Sequence, residues 1–186
     1  MRRIFEILIC FLIIVFISPL MILIIILIKY ETKGSAIFLS QRVGVNGSIY
    51  LMPKFRTMHL NTEIVESSEL KNPEQKITKV GKILRKYSLD ELPQFITVIF
   101  GKMTIVGPRP AVPSQKILLE KRKNLGIDKL KPGITGYAQI NGRDMISLDE
   151  KIALEYEYLK KKNIIFDIII ILRTFKAVFN KKGFLH

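Results

Sequence analysis

Apolar and polar positions divide this chain unevenly. From Ile7 to Ile28 it is apolar apart from Ser18 and Pro19, and about 20 such residues can cross a bilayer as a helix. Pro19 removes a backbone donor and bends the axis, while the Ser18 hydroxyl can return a hydrogen bond to the backbone so freed. Beyond the run, short strand-like pieces at Ala36–Leu39 and Ser48–Met52 flank an Asn46-Gly47 turn, a hairpin signature. Residues 59–78 are polar and punctuated by Pro73, and are expected to be the least ordered stretch. A helix is predicted over Lys79–Lys86 with Val80, Ile83 and Leu84 on one face, followed by one opening near Asp90. "GKMTIVGPRPAVPS" and "KPGITGYAQINGR" read as glycine- and proline-rich loops around a charged helix, Ser114–Leu125. Asp149–Lys161 is predicted helical. The last segment, "NIIFDIIIILRTFKAVFNKK", carries a broad apolar face with Asp167, Arg173, Thr174 and Lys176 off it. Its apolar core is too short to span, so it reads either as an amphipathic helix lying in a membrane interface or as a buried core helix.

The pattern predicts a mostly helical α+β protein in two parts: a membrane anchor over residues 1–33 and a small globular domain with short strands over 34–186. No small-residue cleavage site follows the apolar run, so a removed signal peptide is not expected. Arg2 and Arg3 precede it, and Lys29 and Lys33 follow it. Basic flanks belong on the cytoplasmic side. A straight span would leave one flank outside, whereas a re-entrant hairpin bent at Ser18-Pro19 keeps both inside.

Charge narrows the chemistry. Thirty Lys and Arg against sixteen Asp and Glu give a formal net charge of +14 in 186 residues, which suits polyanions: nucleic acid, anionic lipid or phosphorylated substrates. With 9% aromatics, no Trp and no RNP-type motif, nucleic acid is not the expected partner. A single cysteine, Cys10, excludes an internal disulfide and a thiolate metal site, and His59 and His186 make no metal signature. No Walker A loop, GxGxxG or DxD occurs.

Against this basic background Asp90 and Glu91 stand side by side. Ser88 and Glu91 match a capping box, although Pro93, tolerated only in a first turn, is easier to place with the cap at Leu89 or Asp90. Either way, acids at a helix N-terminus are stabilised by the macrodipole. The competing reading is a phosphate-handling site. Arg85 lies just upstream, Lys54 and Arg56 sit in "PKFRTM", Arg109 stands between two prolines and Arg143 follows an Asn-Gly turn. Paired acids binding a hard divalent cation, with cationic clamps around them, suit an anionic phosphate substrate.

"KFRTM", "RKYSLDELPQF", "GKMTIVGPRP" and "KPGITGYAQINGR", in this order behind a Ser-Pro-broken apolar segment, resemble the bacterial sugar transferase family, the monotopic phosphoglycosyl transferases, over about residues 3–179. The resemblance implies transfer of a sugar 1-phosphate from a UDP-sugar to polyprenol (undecaprenyl) phosphate at the cytoplasmic face of a bacterial inner membrane, with release of UMP. It implies Asp90 as the nucleophile forming a covalent phosphosugar intermediate, and Glu91, with Asp90, at a Mg²⁺ ion. Lys54, Arg56, Arg85, Arg109, Gln139 and Arg143 would bind substrate. Anionic lipids and downstream glycosyltransferases are the further partners implied, in a surface-polysaccharide or glycoconjugate pathway. Lys102, Thr97, Glu155, Pro53 and Tyr137 depart from the usual family pattern and leave the sugar open. A rival without catalysis, a basic protein that binds the membrane surface or a partner, would need neither Asp90 nor Mg²⁺. A nucleic-acid binder tethered to the membrane would show steep salt dependence.

Overall fold

The computed structural model describes residues 2–60, 62, 76–142 and 145–179. Most of the polar stretch expected to be least ordered, and Arg143, lie outside the described residues. The chain begins with one helix, α1, Arg2–Glu31. Among the described residues it is the helix long and apolar enough to cross a membrane. It is a single helical element with Pro19 inside it, rather than two helices divided at the Ser-Pro pair. Pro19 cannot donate to the carbonyl four residues back, that of Val15, and the Ser18 hydroxyl donates to that oxygen instead at 2.8 Å.

Two strands, β1 (Ile37–Val43) and β2 (Ile49–Phe55), form an antiparallel hairpin. Its turn places Asn46 and Gly47 at positive φ, the conformation that Asn-Gly favours. Next comes α2, Lys79–Lys86, within the expected bounds. Its buried residues are Gly81 and Leu84, and Ile83 faces solvent. Gly81 rather than Ile83 takes the inward place because the helix presses on Thr57, whose carbonyl oxygen lies 2.1 Å from where a Cβ would stand. A one-turn 3₁₀ segment, Leu89–Glu91, leads into α3, Gln94–Ile99.

The two loops expected next contain hidden strands. β3 (Thr104–Val106) and β4 (Gly133–Thr135) pair in parallel, with α4 (Lys116–Asn124) between them in sequence. Three further helices follow among the described residues: α5 (Tyr137–Ile140), α6 (Leu148–Lys161) and α7 (Ile164–Phe179). The segment read as either interfacial or core is α7. It turns Ile170, Asp167 and Thr174 inward: Asp167 accepts from Tyr158 at 2.8 Å, and the Thr174 hydroxyl meets that of Thr135 at 2.6 Å. Ile164, Ile165, Ile168, Leu172 and Phe175 are left exposed. Thus two of the residues expected off the apolar face, Asp167 and Thr174, turn toward the domain, and an apolar stripe faces out.

Both ends of α1 are tied to the domain. Near its start, Cys10 is buried with Tyr50, Met52, Val98 and Met103, and Arg3 donates to the carbonyls of Val98 and Ile99 at the end of α3. At its other end, the Glu31 carboxylate accepts from the Lys79 and Val80 amides at 2.6 and 3.0 Å, and Thr78 accepts from Gly81. The first three N–H groups of α2, orphans in any helix, are thereby satisfied, and a negative charge sits at the positive end of its dipole. The two helices flanking Asp90 and Glu91 are therefore both capped by residues of α1.

Candidate active site

The tetrapeptide Ser-Leu-Asp-Glu occurs twice, at Ser88–Glu91 and Ser147–Glu150, with different structures. At the second, the Ser147 hydroxyl accepts from the Glu150 amide at 3.2 Å and Glu150 accepts from the Ser147 amide at 2.9 Å. This is a complete capping box. At the first no box forms: Ser88 adopts a left-handed conformation, φ 54°, and its side chain caps nothing. Pro93 accounts for the difference. With Ser88 as cap, Pro93 would fall in the second turn, where it lacks its N–H and clashes with the preceding carbonyls. The chain turns through Ser88 and Leu89–Glu91 instead, and Pro93 stands just before α3. A non-glycine residue at positive φ costs on the order of 1–3 kcal/mol. Glu91 is thereby released from capping.

Its carboxylate faces cations. Lys54, near the end of β2, places Nζ 2.9 Å from Glu91 Oε1 and 3.7 Å from Asp90 Oδ2. Arg109 brings Nη2 to 3.7 Å from the same Glu91 oxygen. Arg85, the penultimate residue of α2, donates from Nε to the Thr57 hydroxyl at 3.0 Å, and its charge acts on Asp90. The acids and Lys54 are largely buried, while Arg109 is more open. Burial is the largest influence on Asp90 and lifts its carboxyl above the usual carboxylate range; Glu91's charge adds to this, while Lys54 and Arg85 oppose it. Among the described residues, two carboxylates against three cations leave a surplus positive charge in a low-dielectric setting, which favours an anionic ligand.

Leucines on either side of the pair fix the turn. Leu89 and Leu92 pack on the cluster built from Ile24 and Ile28 of α1 with Phe55 and Leu84. The acid pair is thus flanked by leucines that share a core cluster with the apolar helix.

The other expected site residues lie elsewhere. Arg56 is buried and donates from Nη2 to the Thr32 hydroxyl at 2.6 Å and to the Thr32 carbonyl at 3.2 Å; it ties down the exit from α1 and is outside the cationic cluster. Gln139 donates to the Ile134 carbonyl at 3.1 Å and lines a narrow crevice under Arg109 with Gly107, Pro108, Tyr137, Glu155 and Tyr158. A buried pair, Arg122 with Glu155, was not anticipated as part of this region. Arg122 binds both Glu155 oxygens, at 2.8 and 2.6 Å, and the Arg109 carbonyl at 2.9 Å. The one available signal was Glu155 as a departure from the family pattern.

Asp90 and Glu91 offer adjacent hard oxygen donors, and no group of three or more Asp, Glu, His or Cys side chains gathers for a metal among the described residues. That set fits Mg²⁺, which takes one or two carboxylates and draws its other ligands from phosphates and water.

The model of the family described as bacterial sugar transferase matches residues 1–181. The chain is 34% identical over 197 residues to the exopolysaccharide production protein ExoY of Sinorhizobium fredii, covering 98% of this chain and 87% of that protein. It is 37% identical over 194 residues to the UDP-glucose:undecaprenyl-phosphate glucose-1-phosphate transferase of Escherichia coli K12, covering 99% of this chain and 41% of the longer relative. With the UDP-N-acetylgalactosamine-undecaprenyl-phosphate N-acetylgalactosaminephosphotransferase of Aeromonas hydrophila it shares 32% identity over 171 residues, covering 89% of this chain and 40% of that protein.

Proposed function

The chain belongs to the bacterial sugar transferase family, and on that premise we propose that it moves a sugar 1-phosphate from a UDP-sugar to undecaprenyl phosphate through a covalent intermediate on Asp90. One observation carries the reading: a carboxylate pair faced by Lys54, Arg85 and Arg109 is tied through Leu89 and Leu92 to a core cluster that includes a helix apolar enough to cross a bilayer. A water-soluble diphosphate and a lipid phosphate can meet at such a place.

An Asp90 oxygen attacks the phosphorus bearing the sugar, the bond to the bridging oxygen breaks, and UMP leaves with that electron pair. The undecaprenyl phosphate oxygen then attacks the same phosphorus and expels the Asp90 carboxylate, giving undecaprenyl diphosphate sugar. Arg109 and Lys54 hold phosphate oxygens as charge moves onto the leaving group. Asp90 and Glu91 would hold Mg²⁺, whose contribution when bound is to neutralise diphosphate oxygens. The relatives' names carry different sugars, and the donor sugar is left to experiment. Incubating the full chain with a panel of UDP-sugars, Mg²⁺ and undecaprenyl phosphate should release UMP from at least one donor; release from none would refute the reading.

The membrane course is part of the same proposal. Both ends of α1 are held on one domain, and basic residues flank both ends of its apolar run. This supports a re-entrant path bent at Pro19, with the domain at the cytoplasmic face of the inner membrane and the exposed apolar stripe of α7 lying in the interface. Single cysteines, Phe5→Cys and Lys33→Cys in a Cys10→Ser background, should resist an impermeant thiol reagent in intact cells and react after permeabilisation. Labelling of the Phe5→Cys site from outside would rule the hairpin out.

A further inference from the structure

The segment Gly107–Ala111 contains two prolines and so has few N–H groups with which to anchor itself. Its carbonyls hold it. Pro108 O accepts from the Gly133 amide at 2.9 Å, and Ala111 O from the Val43 amide at 2.9 Å. Pro110 O accepts from Arg42 Nη1 at 3.4 Å, and Arg109 O accepts from Arg122 Nη2 at 2.9 Å. Arg109 is the member of this segment whose side chain reaches Glu91, and a side chain holds its carbonyl.

Arg122 is 6% exposed and Glu155 2%. A guanidinium buried this deeply requires a counter-charge, and both Glu155 oxygens grip one edge of it, Nε at 2.8 Å and Nη2 at 2.6 Å. That grip fixes the guanidinium plane so that Nη2 also points at the Arg109 carbonyl. Glu155 lies on α6, whose start is set by the Ser147–Glu150 box.

We propose that Arg122 and Glu155 are positioning residues for phosphate transfer: the buried pair fixes the backbone of Arg109, and so the direction in which its guanidinium enters the site. The proposal rests on reading Arg109 as a phosphate ligand. Neither member of the pair touches substrate.

The test uses the full chain and three readouts. Arg122→Lys keeps the charge but loses the planar fork that grips the carboxylate and the carbonyl together. It should lower kcat/KM for the UDP-sugar about a hundredfold, the scale of a small misplacement at a reacting centre, mainly through kcat. In an Arg109→Ala background the same change should have no further effect, because residues acting through one group are not additive; full additivity would overturn the proposal. The paired variant Arg122→Met with Glu155→Leu removes both charges, a replacement that buried ion pairs often tolerate with no loss of stability. It should melt at or above the wild-type temperature and still transfer slowly; activity returning with stability would show a structural role only. Finally, amide exchange at Gly133 and Val43, whose N–H groups donate to the Pro108 and Ala111 carbonyls, measured without substrate, should quicken in Arg122→Lys, and unchanged exchange would also overturn the proposal. This last readout needs no turnover, so it still judges the pair if the wild type releases UMP from no donor, an outcome that would defeat the functional reading instead.

Discussion

Asp90→Asn is expected to lower kcat by roughly 10⁴-fold or more, the scale of losing a nucleophile, in a protein that melts no lower than wild type at neutral pH. Asn keeps the shape of Asp and removes the attacking charge. The stability half follows from burial. Asp90 holds its proton more tightly in the folded protein than in the unfolded chain, chiefly through desolvation, with Glu91 adding to it. The stability that the protonated form contributes is present below the ordinary carboxylate pKa and is lost as pH rises through the raised folded value. At a pH above that raised value ionised Asp90 therefore weakens the fold, and an amide removes the burden. Lys54 retains the Glu91 carboxylate at 2.9 Å; Arg85 loses the charge of Asp90 but is only partly buried and keeps its hydrogen bond to the Thr57 hydroxyl at 3.0 Å. Thermal melts near pH 5 and pH 8 check the sign: the variant should gain on the wild type at the higher pH. For the wild type, kcat/KM should rise with pH along a limb above the usual carboxylate range. Lys54→Met should move that limb further upward, because Lys54 is the largest influence drawing the Asp90 carboxyl down.

Arg109→Lys carries the second large effect. A lysine keeps the charge but lacks the fork that binds two phosphate oxygens at once. With Pro108 and Pro110 fixing the backbone on either side, the shorter-reaching point charge cannot be re-aimed by loop adjustment. Loss of one preorganised donor to developing charge is worth about 10²–10³ in kcat, so a fall of that order is expected in steady-state UMP release. The melting temperature should stay close to the wild-type value, since Arg109 is the most exposed of the charged groups paired at the site. Wild-type kinetics would reduce Arg109 to a surface charge.

The helices were legible where periodicity and caps agreed. Lys79–Lys86 fell where expected because Thr78 caps it and an apolar stripe runs through it. Its facing was misjudged at Ile83, because a close approach to Thr57 gave the inward position to a glycine, and hydrophobicity says nothing about such a contact. The parallel pair β3–β4 was hidden because each strand is three residues long and set among Gly and Pro, too short for alternation to register. The acids were recognisable as a pair, but their local structure was not. The box at Ser147 and the open turn at Ser88 share four residues, and Pro93, already an awkward fit for a cap at Ser88, separates the two outcomes. Lys54, Arg85 and Arg109 converge on the acids as anticipated, whereas Arg56 serves the end of α1. The Arg122–Glu155 pair joins residues 33 apart. No local pattern marks such a contact, because it forms only when α4 and α6 meet behind the proline loop.

Intact-protein mass spectrometry puts covalent transfer on Asp90 to the most direct test. The wild type, given Mg²⁺ and the UDP-sugar it uses but no lipid acceptor, should gain the mass of one sugar phosphate and release an equal amount of UMP. The added mass should map to Asp90, be missing from Asp90→Asn, and disappear when undecaprenyl phosphate is supplied. UMP release that begins only with the acceptor present, from an enzyme whose mass never changes, would contradict the covalent route and leave direct displacement in its place.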